Sequence, residues 1–342
     1  MIALLLLPLV LPFALRPMAR RALQRLTPIT ALWLLTGSAV IVAGCTLAAL
    51  GAFVLTGLLR LPLFASLGEL IHPLRTSYGG LVPPAAVLSA GALTVCAWTL
   101  TRWALNQSRA LRAARTQAGR GPVAGDLCVL DSAHPDAYAL PGRPHRIVVT
   151  TGMLRSLDAA EREALFAHER AHNAGGHHYF LVAAELAARC HPALGPVRDA
   201  IRLAAERAAD EAAATVVGDR RLIARAIARA ALAGQSARSP RPDFVPGATT
   251  GPVPQRVKAL LAAPRVPHRT AACGLAALLI ACAALSFAAS ATSMIDVHHR
   301  VEVAQGEAAR WGAGPGDWRE PRFTYNLTRQ HPVERNRTEN PR

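Results

Sequence analysis

Two histidines and a glutamate stand at a spacing that suits metal chemistry. His168 and His172 are four residues apart, and Glu169 directly follows the first of them. On a helix these two positions share one face, so both imidazoles can reach one zinc ion. Zinc lowers the pKa of a bound water to about 7, and Glu169 is placed to take a proton from that water. The pattern predicts zinc-dependent hydrolysis with Glu169 as the general base.

A third ligand is needed, because catalytic zinc takes three protein ligands and keeps one position for water. Glu206 and Asp210 form an ExxxD pair on one face of a later predicted helix. We expect Glu206 to complete a site for one Zn²⁺ per chain. We expect Asp210 to accept the outer ring N–H of a ligand histidine and so fix its tautomer. The alternative is that this charged pair is an ordinary solvated helix face.

The elements that position these residues lie within 106–270, which we predict to be the zinc-peptidase domain. Strand-like runs at 127–130 and 146–150, with 137–140 as a third candidate, alternate with turn residues. Asp158 and Glu161 then fit a capping box that opens a helix running through His172. Further helices are predicted at 179–190, 197–217 and 220–232.

Two other features of this stretch have competing interpretations. The strand at 147–150 is either a sheet edge that pairs with an extended substrate backbone or an ordinary buried strand. His177, His178 and His191 are further histidines, one of which could stabilise an oxyanion. The interpretation that we favour is that these three are polar surface or loop residues.

The rest of the chain is predicted to be membrane-embedded. Hydrophobic residues make up 51% of the sequence and charged residues only 18%, and the apolar residues are concentrated in a few runs. A bilayer span needs about 20 apolar residues. The runs at 29–59, 81–100 and 271–295 meet this need, whereas 2–15 is short and is a signal peptide, an interfacial segment or a span. Its positive charge follows the apolar run, which favours an uncleaved span.

These patterns divide the chain into four predicted parts. We predict three N-terminal transmembrane helices in 1–105, the peptidase domain in 106–270, a fourth transmembrane helix in 271–295 and a short polar extracytoplasmic tail in 296–342. Arginines flank the predicted spans at 16–25 and 102–120, which by the positive-inside rule predicts a multi-pass protein of the cell membrane with a cytoplasmic catalytic domain.

The formal net charge of +16 admits nucleic acid as another partner. No basic stretch is interleaved with aromatic residues as single-strand binders require, so no nucleic acid is expected. The six cysteines form no CxxC pair, which argues against a thiolate zinc site. The expected partners are therefore the lipid bilayer and a protein or peptide substrate.

An HExxH helix followed by ExxxD and framed by membrane spans resembles the membrane gluzincins. That group includes the CAAX prenyl proteases, the HtpX-type quality-control proteases and the beta-lactam-sensing antirepressor proteases. The resemblance covers residues 126–262. Within it, 136–142 and 147–154 look like the strand pair before the catalytic helix, and 256–261 looks like a basic helix that returns to the membrane.

The resemblance implies a mainly α multi-pass membrane protein whose helical gluzincin-type domain carries a small β-hairpin or short sheet. It implies a zinc metalloendopeptidase. The enzyme would act either in regulated proteolysis, as part of a signalling pathway, or in the quality control of membrane proteins. By analogy His168, His172 and Glu206 are ligands, Glu169 is the base and Asp210 supports a ligand. The layout is most similar to the antirepressor type, but 296–342 carries no SxxK motif, which argues against direct beta-lactam sensing. The alternative function is a non-catalytic signalling or scaffold protein that retains a zinc site.

Overall fold

The computed structural model describes residues 2–59, 82–234, 242, 244–245, 252–263 and 269–312. These residues form a mainly helical structure with one small four-stranded sheet, which confirms the predicted fold class. In chain order the elements are α1 Ile2–Arg25, α2 Pro28–Leu58, α3 Val82–Arg120, β1 Val123–Ala124, β2 Leu127–Leu130, β3 Ala137–Leu140, β4 Arg146–Thr150, α4 Thr151–Ser156, α5 Ala159–Ala174, α6 His177–Cys190, α7 Gly195–Val217, α8 Arg220–Ala233, α9 Val253–Leu261 and α10 Arg269–Gly312.

Three helices are long and apolar enough to cross a membrane: α2, α3 and the part of α10 from Ala272 to Thr292. They carry large exposed apolar side chains such as Trp33, Leu88 and Phe287. Such surfaces suit lipid contact, so the three helices indicate membrane association. Helix α1 is not among the three found in the described residues, and a span at 2–15 stays a prediction. Residues 313–342, most of the predicted polar tail, lie outside the described residues.

Prolines shape the way that α1 packs. Pro12 has no backbone N–H, so the Pro8 carbonyl lacks its usual donor one turn later. The Thr46 hydroxyl of α2 donates to that carbonyl over 3.0 Å. The ring Nε2 of His191, in the loop after α6, donates to the Leu9 carbonyl over 3.1 Å. Helix α1 is thereby tied both to α2 and to the end of α6.

The strand order β1-β2-β4-β3 places β4 in the middle of the sheet. It pairs in parallel with β2 and antiparallel with β3, with Val148 opposite both Cys128 and Tyr138. The hypothesis that 147–150 forms a sheet edge is therefore wrong, because both edges of β4 are already hydrogen-bonded. Among the described strands, β1 and β3 are the edges, and β3 packs against α5.

Helix α5 carries the HExxH segment, and its start is fixed by the predicted capping box. The Glu161 N–H donates to Asp158 Oδ1 at 2.8 Å, and the Asp158 N–H donates to Glu161 Oε2 at 3.1 Å. The buried Glu161 carboxylate also accepts from Arg229 of α8 at 2.9 Å. On the other side, exposed Arg170 pairs with Asp126 beside β2 at 2.8 Å. The sheet and α8 thus hold α5 from two directions.

Candidate metal centre

Helices α5 and α7 pack together so that the HExxH face meets the ExxxD face. One ligand atom from each of His168, His172 and Glu206 lies within 4.8 Å of the other two, and all three residues are buried. The two Nε2 atoms are 3.1 Å apart, and Glu206 Oε2 lies 3.6 Å from that of His168 and 3.8 Å from that of His172. Two imidazoles and a carboxylate aimed at one point fit a divalent metal ion such as zinc.

Asp210 lies behind His168, one turn along α7 from Glu206. His168 Nδ1 is 3.0 Å from Asp210 Oδ1. The carboxylate is close enough to serve as the outer partner of this ring, which would leave Nε2 for the metal position. A role for Asp210 in fixing the tautomer of His168 stays a prediction.

Arg256 is a member of this site that the sequence reasoning missed. Its side chain is fully buried, and α9 brings it onto α7. The guanidinium donates to both oxygens of Asp210, at 2.9 and 2.7 Å, and lies 2.9 Å from Glu206 Oε2. It also lies 3.3 Å from His168 Nε2. Arg256 therefore supplies the positive charge that two buried carboxylates need.

Burial and charge together set the ionisation of the site. Burial disfavours a charged His168, but hydrogen bonds with Asp210 and Glu206 outweigh it and raise the pKa of His168 to about 9. Burial lowers the pKa of His172, although Glu206 opposes that shift. Burial would raise the pKa of Glu206, but Arg256 and the two histidines hold it well below its usual value. At neutral pH these shifts favour a protonated His168, a neutral His172 and an ionised Glu206 in the metal-free site.

This charge state predicts that zinc affinity depends on pH. A metal ion can bind Nε2 of His168 only after that ring loses a proton, so binding should release about one proton below pH 9. Apparent affinity should rise about tenfold per pH unit from pH 7 to 9 and level off above, because the competing proton is then gone. Competition with a chelator of known proton affinity measures this slope, and a flat profile would contradict it.

The general-base candidate Glu169 is fully buried on α5 beside the first ligand. Burial disfavours the charged form of Arg256, but the carboxylates of Glu206, Asp210 and Glu169 outweigh it and raise the pKa of Arg256. Glu169 therefore lies within electrostatic reach of the cluster. A role for Glu169 as the general base stays a prediction.

The further histidines do not share one environment. His177 is only 3% exposed and its Nδ1 lies 2.8 Å from Nδ1 of His172, so its interpretation as a surface or loop residue is wrong. His178 is half-buried next to Tyr179, and His191 lies in the loop after α6. The sequence feature that could have indicated the burial of His177 is the Gly175-Gly176 pair, because it reverses the chain directly after the HExxH helix.

Comparison with known proteins gives one match. The profile of Peptidase family M48 matches residues 107–194, a range that contains α5 and α6 but not Glu206. No curated protein and no solved structure matches this chain. The family match and the His168/His172/Glu206 cluster together support a zinc-metallopeptidase family for this chain.

Proposed function

We propose that this chain is an integral-membrane zinc endopeptidase that cleaves protein substrates with Glu169 as general base. The observation that carries the proposal is that ligand atoms of His168, His172 and Glu206 lie within 4.8 Å of one another. The helix that holds the two histidines lies within the range that matches Peptidase family M48. Metallopeptidases of this kind act on peptide bonds, and the three apolar helices associate the site with a bilayer.

In the proposed reaction His168, His172 and Glu206 hold the metal ion. Bound zinc supplies an activated water and polarises the scissile carbonyl. Glu169 accepts the proton of the attacking water and returns it to the leaving amine, as a general base that then acts as a general acid. Its burial keeps bulk water from competing for that proton.

Asp210 and Arg256 serve this reaction by holding its participants. Asp210 orients the ring of His168 through Nδ1 at 3.0 Å. Arg256 keeps the carboxylates of Glu206 and Asp210 ionised, so that Glu206 remains able to bind a cation.

The cellular role that we propose is cleavage of a cytoplasmic or membrane protein. The arginines at 16–25 and 102–120 support a cytoplasmic site, because positive residues remain on that side of the bilayer. Regulated proteolysis of the antirepressor kind and clearance of misfolded membrane proteins both fit such a site. The rival is a scaffold that binds zinc without cleaving.

Replacement of Glu169 by glutamine distinguishes an endopeptidase from a scaffold that binds zinc without cleaving. The Glu169→Gln protein should keep its zinc and lose cleavage by about 100-fold or more, because the proton acceptor is gone while the ligands stay. The measurement is proteomics of new protein N-termini in cells expressing each form, with zinc content determined on the purified proteins.

Glu163→Gln is the matched control, since Glu163 is exposed on the same helix. It should leave both cleavage and zinc content unchanged. If Glu169→Gln produced the same cleavage products as the wild type, the scaffold function would replace the proposed one.

A further inference from the structure

His177, the first residue of α6, lies directly against the ligand histidine His172. The two Nδ1 atoms are 2.8 Å apart, a hydrogen-bond distance. The ring centroids are 4.9 Å apart and the ring planes are nearly perpendicular, at 85°. His177 is 3% exposed, so water does not compete for this contact.

The direction of this hydrogen bond follows from the opposite side of the His172 ring. Nε2 of His172 faces His168 Nε2 at 3.1 Å and Glu206 Oε2 at 3.8 Å. A ring nitrogen that binds metal carries no proton, so with a metal ion on Nε2 the proton of neutral His172 would be on Nδ1. In that state His172 Nδ1–H would donate and His177 Nδ1 would accept. His177 thus fixes the tautomer and the orientation of His172.

The two ligand histidines consequently have separate outer partners of different chemistry. His168 contacts the Asp210 carboxylate at 3.0 Å, whereas His172 contacts the His177 imidazole at 2.8 Å. The ExxxD pair accounts only for the first of these. Without His177 the outer nitrogen of His172 would be buried with no acceptor of its own.

Two glycines place His177 in this position. A Cβ atom on Gly175 would lie 2.6 Å from His177 Nε2 and 3.1 Å from the Ala171 carbonyl oxygen. Gly176 has φ +58°, a left-handed conformation that suits glycine and reverses the chain between α5 and α6. The turn lets α6 begin where its first side chain meets the HExxH helix.

We propose that His177 is a positioning residue for the metal ligand His172, brought into place by the Gly175-Gly176 turn. The inference rests on the proposed function, since it assigns a role at the same metal site. Outer partners of zinc-bound histidines are worth about 10–100-fold in metal affinity, which sets the size of the expected effect.

A pair of variants of nearly equal shape tests this role. His177→Asn keeps an acceptor, because the side-chain oxygen of asparagine stands as far along the chain as Nδ1 of histidine, whereas His177→Leu does not. By chelator competition on the full chain in detergent micelles, His177→Leu should bind zinc about 10–100-fold more weakly than the wild type. His177→Asn should stay within about threefold of wild type. The absorption spectrum of the Co²⁺-loaded protein should change in His177→Leu and stay like wild type in His177→Asn.

The control is His178→Leu, because His178 is the next residue of α6 and stacks near Tyr179 instead. It should leave zinc affinity and the Co²⁺ spectrum unchanged. Gly175→Ala should reproduce the loss of His177→Leu by displacing the ring. If His177→Leu fails to fold, the comparison of His177→Asn with Gly175→Ala decides the question in the same way.

Wild-type zinc affinity in His177→Leu, or equal affinity in His177→Asn and Gly175→Ala, would overturn the positioning role. That result leaves the Glu169→Gln test of peptidase activity unaffected. The opposite combination is also distinguishable. If His177→Leu lost zinc affinity while Glu169→Gln still cleaved substrates, the positioning role of His177 would stand and the proposed peptidase function would be refuted.

Discussion

Replacing Arg256 with methionine should lower the stability of the metal-free protein by about 3–5 kcal/mol, the cost of breaking a buried ion pair. The guanidinium is fully buried and contacts Asp210 at 2.7 and 2.9 Å and Glu206 at 2.9 Å. Methionine fills similar space but leaves both carboxylates buried without this counter-charge. The thermal unfolding midpoint in detergent with excess chelator measures the effect.

Zinc should rescue this variant more strongly than it stabilises the wild type. The guanidinium contacts Glu206 Oε2 and His168 Nε2, which are atoms that would hold the metal ion. Removal of the guanidinium would therefore also remove its repulsion of a bound ion. The upward shift of the unfolding midpoint on zinc addition should therefore be larger in Arg256→Met.

The control for this pair of measurements is Arg225→Met. Arg225 is largely exposed and lies 3.7 Å from Glu161, outside the metal site. The buried Glu161 keeps Arg229 as a partner, so loss of the contact with the exposed Arg225 should cost about 0–1 kcal/mol. Equal destabilisation by the two substitutions, or an equal zinc response, would show that Arg256 does not balance the charge of the site.

Glu206→Gln should weaken zinc binding on the order of 1,000-fold, above the 10–100-fold that outer partners contribute. Glutamine keeps the size of the side chain but loses the negative charge that faces both histidine Nε2 atoms, at 3.6 and 3.8 Å. Cleavage should fall to background with the metal. Zinc affinity by chelator competition and the N-terminal proteomics described above measure the two losses.

Glu211→Gln is the matched control, because Glu211 lies on the same helix and pairs with Arg220 instead of the cluster. It should retain zinc and cleavage. A Glu206→Gln protein with wild-type zinc affinity would mean that another group completes the coordination.

Local patterns were enough to predict much of this site. The capping box fixes the start of α5 through bonds between residues three apart, and the HExxH spacing fixes which side chains share its face. The ExxxD pair identified Glu206 and Asp210 because the same helical geometry places both on one side of α7. Long apolar runs predicted the membrane-length helices, since length and composition alone decide whether a helix can cross a bilayer.

The missed features depend on contacts between distant segments. Arg256 and Asp210 are 46 residues apart in the sequence. Because the chain is rich in arginine, no local sequence pattern distinguishes Arg256 from the other arginines. The central place of β4 follows from its parallel pairing with β2, which the alternation of residues within one strand does not specify. His177 is nearer, but its burial depends on how the Gly175-Gly176 turn directs α6.

Zinc K-edge X-ray absorption on the purified full chain, together with the metal content per chain, reports whether His168, His172 and Glu206 hold a zinc ion. We expect one zinc per chain, bound by nitrogen and oxygen ligands that include two imidazoles, with the metal lost in Glu206→Gln. Absence of stoichiometric zinc, sulfur in the coordination shell, or a shell unchanged by Glu206→Gln would show that these three residues do not form the zinc site.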